Sequence, residues 1–134
     1  MTAYISVSCS KRDLLDKELS AIAGTLARFN ITPFVFVDRY NFDSAQEKQM
    51  MEQAIKDIGN CDLLIAETSY KAIGIGIEAG YAKAKGKPII YLREQNKEHS
   101  TTVSGISDFQ ILYSDINDLQ NKLINVLREI TSKP

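Results

Sequence analysis

The sequence predicts an α/β fold: a single-domain, doubly wound parallel sheet of five strands in the flavodoxin-like, or Rossmann-like, order 2-1-3-4-5. Two observations carry this prediction. Strand-sized apolar runs alternate with helical patterns, and several runs are apolar at successive positions, as in strands covered on both faces. A length of 134 residues with 44% hydrophobic residues suits one core, so residues 1–134 are expected to form one domain.

Five apolar runs are the predicted strands. They are AYISVSC (3–9), FVFV (34–37), LLIA (63–66), IIYL (89–92) and FQILY (109–113). Right-handed crossovers between parallel strands restrict the orders in which these runs can be arranged.

Helical patterns fill the segments between the strands. The first follows a capping start at Ser10 and Asp13, and the second follows the S-x-x-E start of Ser44 and Glu47. The remaining predicted elements are a third helix within KAIGIGIEAGYAKAKGKP (71–88), ended by its GKP, and a last helix over 116–130.

The segment between the fourth and fifth strands, residues 93–108, is polar and weakly periodic. It is expected to be a loop, and loops of this length are often functional.

Charge and cysteine usage narrow the class of protein. Sixteen basic and seventeen acidic residues give a net charge of −1, which argues against a nucleic acid polymer as partner. Cys9 and Cys61 form neither a disulfide framework nor a zinc motif, and no other metal-ligand pattern is present. No signal peptide or membrane-spanning run is evident, so we expect a cytoplasmic protein without a membrane partner.

The predicted topology places a ligand site beyond the carboxyl ends of the first and third strands, where the strand order reverses. The segments SCSKRD (8–13) and AETSY (66–70) end these strands and supply hydroxyl, basic and acidic groups. Glu67 and Ser69 belong to the second segment, and Glu67 is either a second acid in the crevice or a solvent-facing charge.

Glu78 lies near the start of the third helix, among apolar residues. One interpretation is an acid that complements the helix dipole, an effect of about 0.3–1 kcal/mol. The other is a partly desolvated carboxylate beside the crevice, with a raised pKa and a chemical role.

Gly74 and Gly76 precede Glu78 in GIGIEA, which spells a dinucleotide-binding motif. That motif belongs directly after the first strand, whereas these glycines follow the third. We therefore favour a tight backbone path that brings the helix start close to a ligand.

The segment CDLLIAETSYKAIGIGIEAGYAKAKGKPIIYL (61–92) resembles the core signature of the nucleoside 2-deoxyribosyltransferase family. STTVSGISDFQILYSD (100–115) further resembles its branch that hydrolyses 2′-deoxynucleoside 5′-monophosphates. The resemblance implies cleavage of the bond between deoxyribose and base, with Glu78 as the catalytic carboxylate and no cofactor. The implied substrate is a small nucleoside or nucleotide.

The resemblance also assigns roles outside the third helix. Tyr4 matches a Tyr that reaches the sugar, in a Tyr-x-x-Gly-Ser pattern that keeps Ser8 but has Val7 in place of Gly. Ser10 and Lys11, with Arg12, stand where the branch holds a phosphate. The alternative for these three residues is a plain helix cap with solvated charges.

Ser100 matches a Ser that reaches a neighbouring subunit's phosphate site, which implies a homodimer with composite sites. The alternative is a flexible surface loop, and the lone His99 beside it is expected to be an exposed loop residue.

One position departs from the family. The family has an Asp on the second helix, eight residues before the Asp that opens the third strand, and here that position is Ala54. Glu52 and Asp57 are near but are expected to point elsewhere on a helix.

Two alternative functions therefore stay open. One is a TIR-like domain that splits NAD, to which YISVSCSKRD bears a faint likeness, and the other is a non-catalytic nucleotide-binding module of the same fold.

Overall fold

The computed structural model describes residues 1–133 and contains a five-stranded, wholly parallel sheet. The strand order is β2-β1-β3-β4-β5, which confirms the predicted 2-1-3-4-5 order. The strands are β1 (Thr2–Ser6), β2 (Thr32–Val35), β3 (Leu63–Glu67), β4 (Ile89–Glu94) and β5 (Phe109–Tyr113).

Six α-helices connect and follow these strands within the described residues. They are α1 (Asp16–Ala27), α2 (Phe36–Arg39), α3 (Glu47–Asn60), α4 (Ile73–Ala84), α5 (Thr101–Ile106) and α6 (Ile116–Ser132). None of them is long and apolar enough to cross a bilayer.

Two hydrophobic layers sandwich the sheet. Ala3, Ile5 and Val7 of the first strand segment face α1 and α6 in one layer, whereas Tyr4 faces α3, α4 and α5 in the other. This alternation is the period of two that a strand imposes on its side chains. Each face of β1 therefore meets a different set of helices, which is what positions the candidate site.

The predicted strand over 34–37 is misplaced. The strand is Thr32–Val35, and Phe36 begins the one-turn helix α2. β2 is an edge strand that pairs only with β1, so it tolerates Pro33 and gains little from extending further. Phe36 instead turns inward and packs against Tyr4 and Tyr40.

Both predicted helix starts are also wrong in detail. Residues Cys9–Leu15 form a 3₁₀ helix, and no side chain caps it or α1, which begins at Asp16. The capping box of the second helical segment is formed by Asp43 and Gln46, one residue before the predicted pair. The ionised carboxylate of Asp43 is a stronger acceptor for the free amides than the hydroxyl group of Ser44.

The polar segment 93–108 is not a structureless loop, because it contains α5. That helix has six residues, with Gly105 among them, and is too short to display a helical period in the sequence. The end of α4, in contrast, is as predicted: Gly86 has φ of 72°, a left-handed conformation that glycine adopts without strain.

The two cysteines are far apart in their accessibility. Cys9 is exposed at the start of the 3₁₀ helix that follows β1, whereas Cys61 is buried before β3. Both are free thiols. Burial, helped by the charge of Asp57, raises the pKa of the Cys61 thiol to about 11.

Candidate active site

The carboxyl ends of β1 and β3 lie side by side, with Ser6 opposite Ala66. The chain leaves β1 toward α1 on one face of the sheet and leaves β3 toward α4 on the other. This is the reversal of strand order at which doubly wound sheets bind ligands.

The side chain of Glu78, on α4, contacts two residues of β1. Its carboxylate accepts a hydrogen bond from the Tyr4 hydroxyl and a second, of 2.6 Å, from the Ser6 hydroxyl. Tyr4 and Ser6 are two residues apart, so both side chains leave β1 on the face that α4 covers. The structure thus brings the predicted pair Glu78 and Tyr4 together, and it adds Ser6.

The surroundings of Glu78 change its acidity. Burial raises the pKa of its carboxyl group, and the hydrogen bonds from Ser6 and Tyr4 only partly oppose that rise. Burial and the charge of Glu78 raise the pKa of Tyr4 far above its ordinary range, so its hydroxyl keeps its proton and donates it. The carboxylate therefore has fixed donors on both oxygens and a raised proton affinity.

None of the ion pairs formed among residues 1–133 involves Glu78. Its partners are neutral hydroxyl groups, which orient the carboxylate without neutralising it. A half-buried negative charge of this kind is suited to stabilising positive charge that develops on a bound molecule.

Aromatic side chains line the β2 side of Tyr4. Its ring stacks with those of Phe34 and Phe36, with ring centroids 5.9 and 6.0 Å away. Phe36 continues the cluster to Tyr40 and Phe42. This cluster was not predicted from the sequence, although the aromatic spacing in FVFVDRYNF (34–42) indicates it.

The second helix of the site has no acid at position 54. Ala54 is 1% exposed and packs in the layer beneath α3 and α4. Asp57, one turn further along α3, is buried and accepts hydrogen bonds from the Tyr40 hydroxyl and the Gln53 amide. Glu52 is exposed. The hydrogen-bond partners of Asp57 are therefore Tyr40 and Gln53, and Glu78 is not among them.

A cavity of about 530 Å³ lies beside the site, between the first turns of α4 and α5. Its wall includes Thr68, Lys71, Gly76 and Ser100. Glu78 is not among the residues that line this cavity, and its carboxylate points to β1.

The glycines at the start of α4 leave space around that helix. A methyl group added at Gly74 or Gly76 would meet no atom within 4 Å, and neither residue has a positive φ. The protein itself therefore does not require glycine at these positions, and their lack of side chains leaves room beside the cavity.

The remaining predicted binding residues after β1 are spread out. Ser8 is buried, with its hydroxyl 3.3 Å from that of Ser10, whereas Ser10 and Lys11 are exposed. The guanidinium of Arg12 is held by Asp16 and Asp38, at 2.6 and 2.8 Å. Lys11 is the basic group of this segment that forms no ion pair among the described residues.

Glu67 and Ser69 lie on the opposite face of the sheet from Glu78. Glu67 is 0% exposed and accepts hydrogen bonds from the Ser69 amide, at 2.6 Å, and the Tyr113 hydroxyl, at 2.7 Å. Burial raises the pKa of this carboxyl group. Glu67 is therefore not the solvent-facing charge that was one of its two interpretations. The structure also does not bring Glu67 together with Glu78.

His99 is exposed, as predicted, and its Nδ1 lies 3.1 Å from the Tyr91 hydroxyl, which also accepts the Ser100 amide. Within residues 1–133, no three His, Cys, Asp or Glu side chains group closely enough to hold a metal ion.

The chain is similar to proteins of known families. The sequence profile of the family described as nucleoside 2-deoxyribosyltransferase matches residues 12–126. A protein of Thermofilum pendens, provisionally named 2′-deoxynucleoside 5′-phosphate N-hydrolase 1, is 34% identical over 85 residues, which are 60% of this chain and 59% of that relative. The chain thus matches about three fifths of that relative's length.

Two solved structures share the fold. The CMP N-glycosidase BcmB of Clostridium botulinum superposes with a TM-score of 0.70 at 21% identity, covering 94% of this chain and 99% of that one. A 2-deoxyribosyltransferase of Bacillus psychrosaccharolyticus superposes with a TM-score of 0.66 at 16% identity, covering 90% and 91%. At such identities the likeness establishes the fold alone.

Proposed function

The chain belongs to the nucleoside 2-deoxyribosyltransferase family, and we propose that it cleaves the N-glycosidic bond of a 2′-deoxynucleoside or its 5′-monophosphate with Glu78 as the catalytic carboxylate. One observation carries this proposal. The Glu78 carboxylate is held between the Tyr4 and Ser6 hydroxyl groups, at the reversal of strand order, and no ion pair among residues 1–133 neutralises it.

The proposed reaction begins when a Glu78 oxygen approaches the anomeric carbon of the sugar. The bond from that carbon to the base breaks, its electrons leave with the base nitrogen, and the base takes up a proton from solvent. The sugar carries positive charge in the transition state, and the carboxylate stabilises it or forms a covalent glycosyl ester. Water or a second base then attacks the anomeric carbon and loses a proton to solvent, which frees Glu78 as the carboxylate.

The hydroxyl donors act on the carboxylate in this scheme. Tyr4 and Ser6 fix the orientation of Glu78 so that little reorganisation is needed when charge develops on the sugar. They also favour its ionised form against the effect of burial. An ionised carboxylate is the state that the reaction needs.

The cavity between α4 and α5 is the proposed place for the 5′ side of the substrate. Ser100, Thr68 and Lys71 border it, together with the first turn of α4. Ser100 and Lys71 are donors suited to a hydroxyl or a phosphate, whereas the Thr68 hydroxyl already donates to the Leu92 carbonyl. The name of the Thermofilum pendens relative, 2′-deoxynucleoside 5′-phosphate N-hydrolase 1, agrees with a monophosphate substrate.

One observation favours a second candidate, a nucleotide-binding module without activity. Position 54 carries a buried alanine, so α3 supplies no acid at the place where the resemblance implies one. A slow enzyme and a non-catalytic module would both fit that change.

An assay of base release separates these functions. The protein is incubated with each 2′-deoxynucleoside, each 2′-deoxynucleoside 5′-monophosphate and NAD, and the free base is measured by chromatography. Release from deoxynucleotides that is absent in Glu78→Ala supports the proposal. Binding without release supports the module, nicotinamide release supports a TIR-like activity, and release that survives Glu78→Ala overturns the role of Glu78.

A homodimer with composite sites is also proposed, and exposed apolar residues beside the cavity support it. Ile73 and Ile77 lie one turn apart on α4 and are 85% and 52% exposed, an unusual arrangement for a free surface. Sedimentation velocity on the wild type and on Ile77→Lys tests this directly. A wild type that is monomeric at tens of micromolar would contradict it.

A further inference from the structure

Glu67 is a buried carboxylate that the proposed reaction does not use. It is 0% exposed on the face of the sheet that α1 and α6 cover, and none of the ion pairs formed within residues 1–133 includes it. Its two oxygens accept the Ser69 amide and the Tyr113 hydroxyl. Burying a carboxylate without a cation costs free energy, and these bonds offset only part of that cost.

The bond to Ser69 controls a segment of the cavity wall. Ser69 belongs to residues 68–72, which connect β3 to α4 and contribute Thr68, Lys71 and Ala72 to the cavity. The bond closes two residues beyond Glu67, so it bends the chain sharply as soon as the strand ends. The course of the connection, and with it the first turn of α4, depends on this bend.

Further hydrogen bonds and an ion pair connect this segment to the opposite wall of the cavity. The Ser69 hydroxyl accepts the amide of Glu94, and the Thr68 hydroxyl donates to the carbonyl of Leu92. Lys71 pairs with Glu98 at 3.0 Å in the segment that leads to Ser100. The two strand-to-helix connections that enclose the cavity are therefore tied together, with Glu67 beneath them.

We infer that Glu67 is a positioning residue: by holding the Ser69 amide and the Tyr113 hydroxyl at once, it sets the connection 68–72 and so the wall of the cavity. This inference rests on the proposed function, because it assigns the effect to the binding of the substrate's 5′ side. A carboxylate is suited to the task since it accepts from two directions, and glutamine can reproduce this if the Tyr113 hydroxyl turns to accept the amide group.

The test compares Glu67→Leu, Glu67→Gln and the control Glu94→Leu, which removes a neighbouring acid whose backbone amide alone joins the network. With the best substrate of the panel, we expect KM to rise about tenfold in Glu67→Leu, while kcat changes about twofold or less. Glu67→Gln restores the wild-type KM within about twofold, and Glu94→Leu leaves it unchanged.

Amide hydrogen exchange supplies a readout that does not depend on activity. We expect the amide of Ser69, which donates to Glu67, to exchange faster in Glu67→Leu than in the wild type or in Glu94→Leu. An unchanged KM, or a fall in kcat with KM constant, would overturn the inference, because lost stability alone lowers the active fraction without changing KM.

Two further outcomes also bear on the inference. If Glu67→Leu does not fold, Tyr113→Phe takes its place, because it removes the hydroxyl that donates to Glu67. A threefold rise in KM, to be expected from loss of about one hydrogen bond, supports the inference and an unchanged KM overturns it. If the wild type releases no base from any substrate, the proposed function fails. Exchange then decides alone whether Glu67 holds the connection, with unchanged exchange overturning it.

Discussion

Two glutamates are buried on opposite faces of the same sheet, and they differ in what surrounds them. Glu78 is half-buried, and both of its donors are side-chain hydroxyl groups on the first strand. Glu67 is fully buried, and one of its donors is the backbone amide of the connection that follows its own strand. Burial raises the pKa of both carboxyl groups.

The difference shows that a raised pKa alone does not identify a catalytic acid. Glu67 is fully buried and accepts the backbone amide of Ser69, whereas Glu78 is partly exposed and is held by two side chains of β1. Of the two carboxylates, the partly exposed one is the one that a ligand can approach. Geometry therefore separates two groups that acidity alone would rank together.

The largest expected effect comes from making the same change in both glutamates. Glu78→Gln should lower kcat by about 10³-fold or more, because an amide neither stabilises the cationic sugar nor attacks it. Glu67→Gln should change kcat by about twofold or less, since it keeps its hydrogen bonds. Base release is measured by chromatography at saturating substrate, with circular dichroism to verify folding. Equal losses in both variants would remove the distinction between the two carboxylates.

The tyrosine partners sharpen the comparison at the next level. Tyr4→Phe removes a donor to the ionised Glu78 and should lower kcat/KM by about 10- to 100-fold. Tyr113→Phe removes the matching donor to Glu67, and its kcat should stay within about twofold of the wild type. Steady-state kinetics on the two variants provide the measurement, and a larger loss of kcat in Tyr113→Phe would contradict it.

The pH dependence of kcat/KM in Tyr4→Phe provides an independent test of the site. Glu78 must be ionised to react, so kcat/KM should rise with pH through a pKa above the ordinary glutamate range. Losing the Tyr4 hydrogen bond removes an influence that lowers the pKa of Glu78. The acidic limb of the profile should therefore move to higher pH, whereas a shift to lower pH would be inconsistent with the site.

A substitution at Ser100 tests the role of the cavity between α4 and α5. Ser100→Ala should weaken kcat/KM for a deoxynucleoside monophosphate by about tenfold, through one lost hydrogen bond to a charged group, and affect the plain nucleoside less. Ser104→Ala, on the short helix α5 that follows Ser100 but outside the cavity wall, is the matched control. Equal losses on nucleoside and nucleotide would exclude a phosphate role for Ser100.

The smallest effect concerns stability. The folded-state pKa of each buried glutamate is raised, so its contribution to stability is full below the unfolded-state pKa and declines as pH rises through the folded-state pKa. Urea unfolding between pH 4 and pH 8 should thus show that Glu67→Gln and Glu78→Gln gain free energy of unfolding relative to the wild type as pH increases. A relative loss at neutral pH would mean that ionisation stabilises the fold.

Much of the fold could be predicted because its signals are local. Consecutive apolar residues mark the strands, and GIGIEAG with its following GKP marks α4 and its end. The family resemblance built on that segment is confirmed by the profile match over residues 12–126. The short helix α5 and the shifted capping box at Asp43 were missed because six residues show no period and neighbouring polar residues compete as caps.

The candidate site was less predictable because its contacts are distant in sequence. Ser6 shares the face of Tyr4 by simple alternation and could have been included on that ground. The side of the sheet that Glu67 faces depends on which helices cover β3, and its partner Tyr113 lies on another strand. No pattern within a single sequence encodes that pairing.

The contrast between the two free thiols has a practical consequence. Cys9 is exposed immediately after the buried Ser8, whereas Cys61 is buried with its pKa raised to about 11. A maleimide dye at neutral pH should therefore attach at Cys9 in preference to Cys61. The native chain thus provides one favoured labelling position at the end of β1, from which fluorescence can follow ligand arrival without an engineered cysteine.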